Sequence, residues 1–176
     1  MVMVKDPKMA STLKMLILHG LDAEAWKRYG TDNPRHYEVT MPGRKGNMSD
    51  VHAAIGLTQL RRWPEMKEKR RIVLEVYEKA FGVLEEGHSG HLFTIYHPKR
   101  DALRKFLFDR NIGTGIHYTP LHLEPAYRLL GYNLGDFPQA EWIGANTLSL
   151  PVSSTMTKED AEEVVVAIKE FDENTK

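Results

Sequence analysis

The chain has 176 residues, enough for one well-packed domain or one domain with an appendage. Its 24 lysines and arginines balance 24 aspartates and glutamates, so no net field draws in nucleic acid or an anionic membrane. There is no cysteine, which excludes disulfides, thiolate metal sites and cysteine nucleophiles and fits a reducing cytoplasm. The opening MVMVKDPKMAS lacks the apolar core of a signal peptide, and no apolar run approaches the roughly 20 residues of a membrane helix. These features predict a soluble, cytoplasmic, globular α/β protein.

In chain order, Met1 to Val4 is a short β-branched run, a strand candidate that needs a sheet to join. Met9, Leu13, Leu16 and Ile17 repeat at helical spacing and Gly20 sits at the stop position, which predicts a helix from Pro7 to His19. Asp22 to Arg44, rich in glycine, proline, asparagine and aromatics, reads as a long ordered loop, the kind that often carries function. Ser49 can cap a helix from Val51 to Leu60 that is apolar on nearly every side and therefore reads as buried all round. Pro64 suits the first turn of the next helix. That helix has an apolar stripe of Met66, Val73, Val76, Tyr77, Ala80 and Phe81. Its opposite face holds Lys67, Lys69, Arg70 and Arg71, which reads as a solvated basic face.

After a loop from Gly82 to Gly90, Leu92 to His97 reads as a strand. Asp101 can cap a helix carrying Leu103, Phe106 and Leu107. Thr114 to Tyr118 is a second strand candidate and Thr147 to Leu150 a third, with a helix from Phe137 to Asn146 between them. Thr157 and Asp160 form a capping box ahead of Ala161, Val164, Val165 and Ile168 at a 3.6-residue period. The alternation from residue 92 onward predicts a compact α+β unit, a three-stranded sheet flanked by helices on one face.

Two stretches hold groups that do chemistry. Asn111 to Tyr132 places His117, His122, Tyr118, Tyr127, Pro120 and Pro125 in a non-periodic passage, polar rings held by rigid turns. Gly113 and Gly115 precede a strand rather than follow one, so they do not make a dinucleotide glycine motif. His117, His122 and Glu124 match no zinc spacing, and no serine has a nucleophile-elbow setting. Pro42 to Asp50 (PGRKGNMSD) has glycine on both sides of Arg44 and Lys45, and brings these two cations and Asn47 close to a helix start. That arrangement suits a phosphate, although an ordinary basic loop before a capped helix is the commoner case.

Four blocks carry a resemblance: HGLDAEAWKRYG (His19 to Gly30), PGRKGNMSDVHAAIGLTQL (Pro42 to Leu60), GIHYTPLHLEPAY (Gly115 to Tyr127) and SLP (Ser149 to Pro151). In this order and spacing they resemble the C-terminal part of the DegT/DnrJ/EryC1/StrS family of pyridoxal-phosphate sugar aminotransferases. The resemblance implies a type I aminotransferase fold. Residues 1–48 would be the end of the large domain with an interface loop, and residues 49–176 the small α+β domain with its leading helices. It implies transfer of an amino group from glutamate to a keto nucleotide sugar, in a homodimer whose sites lie at the subunit interface. Lys45 and Asn47 would contact the cofactor phosphate of the neighbouring subunit, with Arg44 and Gly46 replacing the family's usual aromatics. His117, Tyr118 and His122 would contact the sugar nucleotide.

The family's cofactor-bearing lysine lies before a Gly-Gly-Met turn to which Met1 would correspond. Lys5, Lys8 and Lys14 all follow that turn. The resemblance thus implies no catalytic residue here, no cofactor bound by this chain alone, and the need for a second copy or a separate N-terminal half. The alternative is a non-catalytic dimerisation module derived from the family, motivated by the apolar helix Val51 to Leu60.

Overall fold

The computed structural model describes residues 2–22, 38–82 and 87–175, which divide into two compact units, Met1–Leu60 and Arg61–Lys176. The long loop expected from Asp22 to Arg44, and the block from His19 to Gly30, lie in part outside the described residues.

In the first unit, helix α1 spans Pro7–Leu16. Asp6 caps it by accepting the Lys8 backbone N–H at 2.9 Å, and proline opens its first turn, where a missing N–H costs nothing. The chain leaves α1 through His19 (φ 60°) and Gly20 (φ 75°). Gly20 is required there twice over: its φ is left-handed, and a Cβ would lie 1.7 Å from the Met41 carbonyl oxygen. Residues 2–4 form no strand, so the expected N-terminal strand is not present in the described part of Met1 to Val4. A lone terminal strand finds no sheet edge here.

Helix α2 runs unbroken over Asp50–Phe81, and the division between units falls within it. Two expectations change here. Pro64 lies inside this one helix rather than opening a second, so the proline is absorbed at the loss of one backbone hydrogen bond. The segment from Val51 to Leu60 is not buried: Val51, Ile55, Leu57 and Leu60 are all exposed. Its all-round apolarity therefore has no partner among the described residues. Ser49 does mark the helix start, its Oγ accepting the His52 N–H at 3.4 Å.

The second unit is built on strand β1 (Phe93–Tyr96) and strand β2 (Thr147–Leu150), paired antiparallel in the register Phe93–Leu150 through Tyr96–Thr147. The expected third strand, Thr114 to Tyr118, reduces to a single bridge in which Gly115 and Ser149 exchange both backbone bonds (3.0 and 2.8 Å). The His117 ring folds over Gly115, where a Cβ would meet it at 2.6 Å, and the chain leaves the sheet after that one pair. The sheet thus has two strands among the described residues.

Helix α3 (Arg100–Phe108) contributes Leu103 and Leu107 to the core. Lys99, not Asp101, holds its N-cap position; Asp101 sits in the first turn, 2.6 Å from the Arg100 Nε. A 3₁₀ turn (Leu121–Leu123) leads into the short helix α4 (Pro125–Arg128). Helix α5 (Pro138–Asn146) feeds directly into β2.

Helix α6 (Lys158–Asn174) opens with the expected capping box. Thr157 Oγ1 accepts the Asp160 N–H at 3.1 Å, and the Asp160 carboxylate accepts the Thr157 N–H at 2.8 Å. Its buried face of Ala161, Val164, Val165, Ala167, Ile168 and Phe171 closes one core with Val73, Tyr77, Phe93, Leu148 and Leu150. Tyr77 is fully enclosed, and its hydroxyl donates to the Pro151 carbonyl at 3.0 Å, which satisfies the one polar atom it takes inside. Burial pushes that phenol well above its ordinary pKa.

Candidate functional site

In the first unit the loop after Met41 runs back along the end of α1. Arg44 N–H donates to Leu16 O (2.9 Å), Gly46 N–H to Ile17 O (2.8 Å), and His19 N–H to Arg44 O (3.3 Å). This backbone zipper fixes residues 43–46 and leaves Arg44, Lys45 and Asn47 exposed. The two glycines flanking Arg44 and Lys45 do not play the same part. A Cβ on Gly43 would lie 2.3 Å from the Gly20 nitrogen, so this glycine lets two backbones touch. Gly46 has only ordinary contact with Ile17 and leaves the side of the loop beyond Lys45 open. The result is a fixed backbone that holds out an ammonium group and a carboxamide near the start of α2. Such donors suit an anionic group.

In the second unit the passage around His117 is braced from three directions. Gly115 is pinned to Ser149 through the bridge described above. The His117 Nδ1 lies 2.8 Å from the Ser149 Oγ, which fixes its half-buried ring. Tyr118 stands edge-on to that ring, with centroids 4.9 Å apart, and is 71% exposed. Downstream, Pro120 presses on α5 at Gly144, where a Cβ would meet the proline Cδ at 2.4 Å. His122 is buried, its Nε2 2.9 Å from the Glu141 Oε1, with Phe137 edge-on at 4.9 Å.

Glu141 is the hub of this passage. Its Oε1 faces His122 and also accepts the N–H groups of Gly135 (2.7 Å) and Phe137 (3.4 Å). The His122 bond first, and the two backbone donors after it, hold this carboxyl below its ordinary pKa against a smaller opposing effect of burial. Arg100 ties off α5 by donating to the carbonyls of Gly144 (3.0 Å) and Thr147 (3.2 Å), a cation on a helix C-terminus.

The five residues singled out in the sequence therefore fall into two groups. Lys45 and Asn47 lie on the loop of the first unit; His117, Tyr118 and His122 lie on one braced passage of the second. Tyr118 presents its ring to solvent, His117 is half-covered, and His122 points its Nε2 inward to Glu141. Sequence reasoning missed the supports Glu141, Gly144 and Arg100. Only Ser149 had a signal, as the first residue of the SLP block. Among the described residues no cluster of histidine and carboxylate side chains is arranged to hold a metal ion.

Comparison with known proteins extends this picture. A model of the DegT/DnrJ/EryC1/StrS aminotransferase family matches residues 1–169. An uncharacterized protein of Methanocaldococcus jannaschii is 36% identical over 97% of this chain and 49% of its own length. The spore coat polysaccharide biosynthesis protein SpsC of Bacillus subtilis is 33% identical, again over 97% of this chain and 49% of its own. The crystal structure of the aminotransferase TlmJ from Streptoalloteichus hindustanus superimposes with a TM-score of 0.79 at 30% identity, covering 98% of this chain and 47% of that one. DesV of S. venezuelae gives 0.80 at 27% identity, over 97% and 46%. The chain spans about half the length of the curated relatives it matches.

Proposed function

Because the chain belongs to the DegT/DnrJ/EryC1/StrS aminotransferase family, we propose that it is the C-terminal portion of a pyridoxal-phosphate-dependent sugar aminotransferase. The whole enzyme would move an amino group from glutamate to a keto nucleotide sugar. The observation that carries this reading is the family match over residues 1–169, against relatives about twice as long. Residues 1–48 then supply the end of the large domain and an interface loop, and residues 49–176 the small domain.

Pyridoxal phosphate, when bound, supplies the electron sink for amino-group transfer. This chain's residues bind and orient. Lys45 and Asn47 would hold the cofactor phosphate of a neighbouring subunit, a role supported by their exposure and by the donors they carry. Tyr118 and His117 line the sugar-nucleotide side, Tyr118 through its exposed ring and His117 through a ring whose tilt Ser149 sets. His122 joins them, its contact with Glu141 fixing the backbone that presents the other two.

Lys5, Lys8 and Lys14 lie outside the family's cofactor-lysine context, so the chain alone would not carry the cofactor covalently. The test is incubation with pyridoxal phosphate, borohydride reduction and intact-mass measurement. The expected result is no stoichiometric adduct; a single lysine modified to completion would sink the proposal.

A second reading, a non-catalytic dimerisation module of the same descent, is favoured by one observation: the exposed apolar residues Val51, Ile55, Leu57 and Leu60. A second copy of this chain is the partner it requires.

A further inference from the structure

The basic face of α2 divides its charges unequally. Arg71 takes both oxygens of Glu68, at 2.7 Å through Nη2 and 2.9 Å through Nε, and also contacts Glu75. Lys69 pairs with Glu65 at 2.7 Å. Lys67 and Arg70 are left with no acidic partner among the described residues, and the Nε of Arg70 is buried without any hydrogen-bond partner. A buried charged donor with nothing to bond is costly, so Arg70 is a cation whose charge is not yet balanced within the described residues.

Lys67 and Arg70 share a cavity of about 430 Å³ with Pro64, Leu74, His88, Ser89 and Gly90. Residues 88–90 form one wall of it. Gly90 is buried at φ 69°, and a Cβ there would lie 2.8 Å from the Leu74 Cδ1. The Gly90 N–H donates to the His88 Nδ1 at 3.0 Å. That bond occupies the Nδ1 lone pair, so the neutral His88 ring carries its proton on Nε2 and is a donor there. Among the described residues the one carboxylate in the lining, Glu68, is spent on Arg71.

We propose that this cavity binds a phosphate-type oxyanion, held by the Lys67 ammonium, the Arg70 guanidinium and the His88 Nε2–H. Three donors on three separate side chains, two of them cationic, suit the tetrahedral oxygens and higher charge of a phosphate better than a planar, singly charged carboxylate. The site lies wholly within Arg61–Lys176 and is separate from the loop that carries Lys45 and Asn47, so it stands whether or not the cofactor assignment holds.

The test is a titration of the whole chain with inorganic phosphate at constant ionic strength and fixed pH. It follows the His88 Cε1–H resonance by NMR, assigned through His88→Gln. A saturable shift is expected. Arg70→Gln and Lys67→Gln should each weaken the apparent affinity about tenfold, the loss that follows removal of one charge-assisted bond. Lys79→Gln should leave it unchanged. Sodium acetate should give no saturable shift over the same range. A phosphate response that is absent, that survives both Arg70→Gln and Lys67→Gln, or that acetate reproduces would overturn the assignment. Lys67 is exposed, so its variant carries the test should Arg70→Gln fail to fold.

Discussion

Gly144 lies in the last turn of α5, where a methyl group would overlap the Pro120 ring, and that ring cannot swing away as a lysine tail would. Gly144→Ala should lower stability by about 1–3 kcal/mol, the usual cost of overpacking, and should shift the resonances of His117 and Tyr118. Unchanged denaturant midpoint and spectra would show that the contact is dispensable. Glu141 makes a prediction in pH. Its folded carboxyl is held below its ordinary value of 4.5, so its contribution is complete above that value and is lost as the pH falls through the folded pKa. Glu141→Gln should therefore lower the melting temperature at pH 7, and the deficit should narrow as the pH drops below 4.5. A gap of constant size across that range would remove the ionised carboxylate from the account. Both residues escaped notice in the sequence for one reason. The contacts that matter most, Gly144 with Pro120 and Glu141 with His122, join residues some twenty apart, and nothing local marks a glycine or a glutamate for such a task.

At the scale of elements, legibility followed how local the determining physics is. The capping box of α6 and its 3.6-residue stripe are set by neighbours within one or two turns, and both stand as read. The strand pattern at Thr114 to Tyr118 was equally local, yet pairing depends on a partner far along the chain. There Ser149 accepts only Gly115 before the His117 ring turns the path aside. Pro64 misled in the other direction. Proline signals a helix start, but α2 continues through it because residues on both sides favour helix strongly enough to bear a missing bond. That cost is measurable. Pro64→Ala restores an N–H to the helix interior, and it should raise stability by on the order of 1–3 kcal/mol, seen as a higher melting temperature with at least unchanged helical circular dichroism. Loss of stability would mean that the proline ring itself is needed where it lines the cavity beside Arg70.

At the scale of the whole molecule, the open question is what covers Val51 to Leu60. A segment apolar on nearly every side was expected inside a core, and Ile55, at its centre, is 56% exposed. Apolar surface of this kind marks an interaction site on a folded protein, and the relatives' length shows that more protein accompanies this region elsewhere in the family. In the dimerisation reading proposed above, another copy of this chain is the cover. Sedimentation velocity should then show association that strengthens with protein concentration. Ile55→Glu should shift the population to monomer, while the unfolding midpoint measured at high dilution moves by no more than about 0.5 kcal/mol, as for other exposed positions. The charge costs little where water already reaches the side chain and a great deal where a second apolar helix must close over it. A chain that sediments as a monomer at every concentration, with or without the substitution, would leave the dimerisation reading without support.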